Sequence, residues 1–231
     1  MKLDRRARRV GRAALAVLAG GAVLAWSGIA SAAGSTSPTF AGYVLGGIAP
    51  TKAATTFKLP SFSCTSTNSG IAFTIGFTNF TTEEFTTGEV VVGCVDGAAT
   101  YAAQEQINDY WSYLTPTMSA GDVINITLSV SATKSTVSVK DKTNKSSVSD
   151  TVRGPGGGGT FTGAGVGDNT LGSAGYPIPS FGTLKYSATT INSAALGTYS
   201  GVGEYNMSGP SGDVNTSTLK AGSASFTTKS A

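Results

Sequence analysis

Imidazole is missing altogether from this 231-residue sequence, which leaves its 13 carboxylates as the side chains best suited to acid–base chemistry. Without histidine there is no Ser-His-Asp or Cys-His hydrolase, no His-ligated zinc and no imidazole proton shuttle. The acids Glu83, Glu84, Glu89, Asp96, Glu105, Asp109, Asp122 and Asp168 are spread along the chain. They never form the dense alternating set of a calcium loop, so no metal is expected. Ser131-Ala132-Thr133-Lys134 and Ser217-Thr218-Leu219-Lys220 match the Ser-x-x-Lys of penicillin-recognising enzymes, where one helical turn brings amine to hydroxyl. The first falls at a predicted hairpin and the second near a Ser/Thr-rich end, and both are read as chance. Gly163-Ala164-Gly165-Val166-Gly167 imitates a phosphate-cradling loop, but such a loop opens a helix and none follows, so no nucleotide or other cofactor is expected.

The charge distribution bears on compartment. Lys2, Arg5, Arg6, Arg8, Arg9 and Arg12 precede an apolar run from Ala13 to Trp26 and then Ala30-Ser31-Ala32, the pattern of a secretory signal peptide spanning residues 1–32. The apolar run is short and Gly-interrupted for a membrane anchor, so no membrane attachment is expected after cleavage. Cleavage removes six of sixteen basic and one of thirteen acidic residues, leaving a net charge of about −2 and no electrostatic footing for nucleic acid. Export also sets the expected state of Cys64 and Cys94, the only cysteines. In an oxidising compartment they read as a disulfide; a nucleophilic thiol would have no histidine to activate it. Asn79, Asn125, Asn144, Asn206 and Asn215 each open an Asn-x-Ser/Thr triplet, a modification site only where the host glycosylates that motif.

The elements that must position any site are strands. Apolar and polar residues alternate strictly from Ile124 to Ser131, and alternation recurs through Ile71, Phe73, Ile75 and Phe77, through Val137 and Val139, and through Leu184 and Tyr186. Period two is the signature of a half-buried strand. Turn-forming clusters such as Ser119-Ala120-Gly121-Asp122 and Ser208-Gly209-Pro210-Ser211-Gly212 separate the runs. Ala102 to Gln106 is left as strand or loop. Strands at short intervals without crossover helices predict an all-β, antiparallel β-sandwich in one domain over residues 40–231. Residues 33–39 are expected to be a short disordered lead-in, and Gly154 to Gly159 a mobile loop.

Several phrases in order resemble the secreted glutamic peptidases, the eqolisins, and in particular their bacterial relatives. Phe40-Ala41-Gly42-Tyr43 looks like the family's Trp-Ala-Gly-Tyr, and Thr56 to Cys64 looks like its Thr-Phe-x-Val-Pro-Ser-Val-Ser-Cys strand. Phe73 to Phe77 follows where the family has Phe-Trp-Val-Gly-Leu, and Thr86-Thr87-Gly88 where it has Gln-Thr-Gly. Ser119 to Ile124 and Phe181 to Leu184 match later landmarks. The resemblance implies a concanavalin-like sandwich and supports a Cys64–Cys94 pair. It also implies acid endopeptidase chemistry in which a glutamate activates water and a glutamine amide stabilises the oxyanion.

Both catalytic positions of that resemblance are replaced. Thr86 stands for the glutamine, and Gly163, opening Gly163 to Gly167, stands for the glutamate of a Glu-Trp-Ile-x-Glu phrase. Thr74, Thr78, Gln104 and Gln106 are altered cleft positions, and Asp168, Glu105 and Glu89 are the candidate replacement acids. The expected function is a secreted, catalytically inactive eqolisin-like protein binding a peptide, glycan or envelope component, with Tyr110, Trp111 and Tyr113 available for stacking. The alternatives are an acid endopeptidase with a rearranged pair and a structural cell-surface module.

Overall fold

The computed structural model describes residues 34–65, 68–108, 110–114, 116–153, 160–171 and 176–231. The expected leader and the Gly154–Gly159 loop lie outside these residues. Sixteen strands follow one another: β1 (Ser35–Ser37), β2 (Phe40–Gly46), β3 (Lys52–Lys58), β4 (Ser69–Thr78), β5 (Phe85–Val95), β6 (Ala98–Ile107), β7 (Tyr110–Leu114) and β8 (Val123–Ser131). Then come β9 (Lys134–Asp141), β10 (Ser146–Arg153), β11 (Gly163–Thr170), β12 (Thr183–Ile191), β13 (Ala194–Ala195), β14 (Val202–Met207), β15 (Val214–Thr216) and β16 (Phe226–Ser230). A 3-10 turn at Leu196–Thr198 is the one helical element among the described residues. Ala102 to Gln106 is part of strand β6, and Ser131 to Lys134 is the β8–β9 hairpin.

The strands form a continuous ladder that folds over into two layers. The front layer runs β14-β2-β11-β4-β5-β6-β7 and the back layer β10-β9-β8-β3-β12. Strand β12 belongs to both sides: Thr183 to Tyr186 pair with β16, and Ser187 to Ile191 pair with β3. Its register shifts between Ser187 and Thr190, where Ala188 has a φ of 50°. A bulge bends a strand in this way and lets it turn a corner. Pairing is antiparallel except for β1, which lies parallel to β14. The expected disordered lead-in is therefore partly ordered, because Ser35–Ser37 supply backbone partners that β14 would otherwise lack.

The back layer behaves as its sequence pattern predicts. In β8, Ile124, Ile126 and Leu128 are buried while Asn125, Thr127 and Ser129 are only partly so. The front layer differs, since all ten residues of β4 and all eight of β11 are buried. Ile71, Phe73, Ile75 and Phe77 point from β4 into a core shared with Phe57, Ile126, Leu128 and Val137. Tyr186 stacks on Phe226 with ring centroids 4.7 Å apart and meets the Phe57 ring edge-on at 5.6 Å, so aromatic area is the main filling of the centre. At one point β2 and β11 approach so closely that neither Gly42 nor Gly167 could carry a side chain: a Cβ on Gly167 would stand 2.8 Å from the Gly42 Cα.

The asparagines of three Asn-x-Ser/Thr triplets are engaged internally, Asn79 with the Thr160 carbonyl at 2.8 Å, Asn125 with that of Thr55 at 2.9 Å and Asn144 with Asp141 at 2.6 Å. Cys64 and Cys94 form a disulfide with Cα atoms 5.4 Å apart across a separation of 30 residues. It ties the segment after β3 to the end of β5. Loop-closure entropy for that separation gives about 3.5 kcal/mol. Reduction is therefore expected to lower the unfolding free energy by about that amount, read as a shift in denaturation midpoint with and without reductant.

Candidate functional site

Alternation along the front strands sorts the candidate residues onto two opposite faces. Cross-strand pairing joins Thr74, Glu89 and Gln104 in one row and Gly76, Thr87 and Gln106 in the next. Thr78 pairs with Gly163 on one side and Phe85 on the other. These residues face away from the back layer. The residues between them face toward it: Thr86 Oγ1 lies 3.1 Å from Ser135 Oγ of β9, and a Cβ on Gly88 would touch Val137 and Ile126. The four altered cleft positions and Gly163 thus share the outer face, whereas Thr86 lies on the inner one. Phe85 and Thr87, its neighbours, hold the outward positions.

Glu89 is the centre of the outer cluster and is fully buried. Thr87 Oγ1 donates to its Oε1 at 3.0 Å and Gln104 Nε2 donates to its Oε2 at 2.5 Å. Burial raises its pKa, and the hydrogen bonds from Gln104 and Thr87 pull it back down. A carboxyl and a primary amide are thus brought together, the two group types on which glutamate–glutamine hydrolysis depends. As they stand, however, each oxygen of Glu89 is taken by a protein donor. Two buried atoms on this face have no hydrogen-bond partner among the described residues, Gln106 Oε1 and Asn169 Nδ2, while the Thr74 hydroxyl faces Glu89 and helps to lower its pKa. Gln106 uses its amide nitrogen on the Asn108 carbonyl at 2.9 Å.

Beside this polar row the surface is apolar. Phe40 and Val44 pack with Phe80, Phe85 and Tyr205. Phe80 lies on the connection between β4 and β5, where Asn79 Oδ1 accepts from the Thr81 amide at 2.9 Å and Thr162 Oγ1 accepts from the Phe80 amide at 3.1 Å. Those bonds hold the Phe80 ring across Gly163, so that a Cβ there would stand 2.6 Å from Phe80 Cζ and 2.9 Å from the Leu45 carbonyl oxygen. The Gly163–Gly167 run is mid-sheet strand, its backbone paired with β2 and β4, and no phosphate cradle results.

The other two candidate acids lie on the inner face. Asp168 accepts a short hydrogen bond from the Tyr186 hydroxyl, and its Oδ2 has no partner. Burial pushes its pKa up to about 7, against the lowering effect of Tyr186. Glu105 is buried, and burial pushes it up to about 7 as well, against the lowering effect of Ser135. Glu89 is therefore the candidate acid paired with Thr74 and Gln104, on the same face as Gly163 but four positions along the ladder from it. Tyr113 is 45% exposed on edge strand β7; the side chains of Tyr110 and Trp111 lie outside the described ones. No group of His, Cys, Asp and Glu able to hold a metal occurs among the described residues. Phe80 and Thr87 were not foreseen, because a loop aromatic and a strand threonine carry no spacing signal of their own.

The profile of the Peptidase A4 family matches residues 38–230. The chain belongs to the Peptidase A4 family. Scytalido-glutamic peptidase, solved with a transition state analog inhibitor, superposes with a TM-score of 0.69 at 16% identity, over 85% of this chain and 100% of that one. SCP-B, an Eqolisin family member solved with the tripeptide Ala-Ile-His, gives 0.64 at 17%, over 85% and 100%. The aspergilloglutamic peptidase from Aspergillus niger gives 0.58 at 20%, over 71% and 99%. No curated protein sequence matches the chain. At these identities the likeness establishes the fold, and the expected eqolisin-like antiparallel sandwich is borne out.

Two outcomes follow for this Peptidase A4 chain. An acid held protonated by the fold stabilises it below its unfolded pKa and loses that contribution as pH rises through the folded one. For Asp168 the window is about pH 4 to 7, with a loss on the order of 4 kcal/mol; Glu105 and Glu89 act in the same direction. Denaturation midpoints are expected to fall from pH 4 to pH 7.5, and Asp168→Asn to flatten that slope. Separately, Gly163→Ala is expected to cost about 1–3 kcal/mol by overpacking, and less, though not nothing, in a Phe80→Ala background, where the Leu45 carbonyl oxygen still crowds the new methyl; a double-mutant cycle of unfolding free energies reads the difference.

Proposed function

We propose that this Peptidase A4 chain is an exported, non-catalytic binding protein that holds a peptide or glycan segment on the outer face of its front layer. The observation that carries this reading is the Phe80 ring lying over Gly163. The family resemblance assigns the water-activating glutamate to that position. Gly163 supplies no carboxyl, and the ring leaves no room for one. Glu89, the acid remaining on this face, is fully buried and held by Thr87 and Gln104, so its carboxyl is closed to the water it would have to orient. Gln106 Oε1 and Asn169 Nδ2 are buried with unmet hydrogen-bonding capacity on the same face as the apolar set of Phe80, Phe85 and Tyr205. That combination suits an extended ligand presenting alternating polar backbone and apolar side groups.

The contact between Glu89 and Gln104 favours a second reading, an acid endopeptidase with a rearranged pair. Cleavage of an unfolded protein between about pH 2 and 7, with an active eqolisin as positive control, separates the two. The expected result is no peptide release under conditions where the control works. Release that disappears in Glu89→Gln would establish the rearranged pair and end the non-catalytic reading.

A further inference from the structure

A cavity of about 280 Å³ opens between β2, β14 and the loops around Gly197–Gly201 and Thr218–Ala221. It is separate from the Glu89 cluster, because Tyr43 points from β2 to the inner side of the front layer, in the core with Val166 and Phe226. Tyr43, Tyr199 and Glu204 supply its polar and aromatic wall, and Val202, Leu219 and Ala221 its apolar wall. The polar wall is short of hydrogens. Tyr43 Oη stands 2.9 Å from Glu204 Oε2 and 2.5 Å from the Ser217 carbonyl oxygen, and a phenol has one hydrogen to give. Whichever acceptor receives it, the other is left facing an oxygen. Burial and the adjacent Glu204 carboxylate both raise the Tyr43 pKa, so the phenol remains a neutral single donor. Among the described residues Glu204 has no other hydrogen-bond partner and no Lys or Arg pairs with it. Tyr199 is fixed by its hydroxyl bond to the Ile191 carbonyl at 2.6 Å, so its ring is held rigidly at the wall.

We infer that this cavity binds a small organic cation, an alkylammonium head on a short apolar stem. The ammonium carries three hydrogens and no acceptor, which is what Glu204 or the Ser217 carbonyl lacks, since one Tyr43 hydrogen serves both and the Tyr43 oxygen itself already accepts from the Leu219 backbone amide. The tyrosine rings add cation–π attraction, and Val202, Leu219 and Ala221 cover the methylenes. The volume lies at the small end for a ligand site, which suits a head group rather than a whole oligomer. Both a free amine and a lysine side chain of a polypeptide present this chemistry.

The test titrates the purified protein with n-butylammonium chloride, with Nα-acetyl-lysine N-methylamide and with neutral n-butanol, at constant ionic strength, following tyrosine ring signals by NMR. The inference expects saturable shifts with at least one amine and none with butanol. Response to both amines marks head-group recognition open to lysine side chains; response to butylammonium alone marks a free-amine site. Glu204→Gln, which keeps an acceptor for Tyr43, is expected to weaken binding at least 10-fold. Leu219→Trp, which fills the cavity from a partly exposed position, is expected to do the same, with unchanged circular dichroism showing that each variant folds. Silence with both amines, equal response to butanol, or full affinity in a folded Glu204→Gln protein would overturn the inference.

Discussion

The middle of the front layer is buried on both faces, and that constraint governs the rest of the molecule. An ordinary antiparallel sheet can leave one face in water and place its polar groups there. Here β4 and β11 have no exposed residue, so every polar side chain on them needs a partner inside the protein or bears the cost of lacking one. Glu89 meets that demand with Thr87 and Gln104. Asp168 meets it in part with Tyr186, and Glu105 in part with Ser135. The raised pKa values of these acids are the electrostatic expression of the same burial.

Glycine is the other response to that constraint. Where β2, β11 and β4 run through the middle of the layer, Gly42, Gly76, Gly163, Gly165 and Gly167 occupy adjacent ladder positions. A residue without a side chain has nothing to desolvate and lets a neighbouring backbone or ring approach closely. The Phe80 ring takes up the space that Gly163 leaves. Position 163 and the loop between β4 and β5 are therefore coupled, and a carboxylate there would require a different loop.

The same constraint decides what could be read from the sequence. Strands β8 and β9 were legible because their outward residues, such as Asn125, Thr127 and Ser138, are polar and partly solvated, so chemistry reports facing. In β5 and β6 that correspondence fails. Thr86 and Thr87 are equally polar and point to opposite faces, as do Glu105 and its neighbours Gln104 and Gln106. Family phrases located these strands correctly along the chain but could not fix their facing, since a slip of one residue exchanges the faces. The sandwich, the disulfide and the family were thus readable. The grouping of Glu89 with Gln104, and its separation from Glu105 and Asp168, required the register. The Tyr43–Glu204 cavity required more, because its walls come from segments more than 150 residues apart.

The fold and the outer face of the front layer are separable because they rest on different residues. The core of Phe57, Phe73, Tyr186 and Phe226 and the Cys64–Cys94 bridge act between layers. None of them depends on which side chains occupy the outer face. Gly163 and Phe80 can therefore pack that face without loosening the sandwich, since an architecture does not by itself fix the chemistry of its surface. The outer face contributes to stability through the fit of Phe80 against the strand, whereas hydrolysis would demand the opposite, an open carboxyl and an ordered water. A single surface cannot satisfy both requirements at position 163, and the contacts there are those of packing.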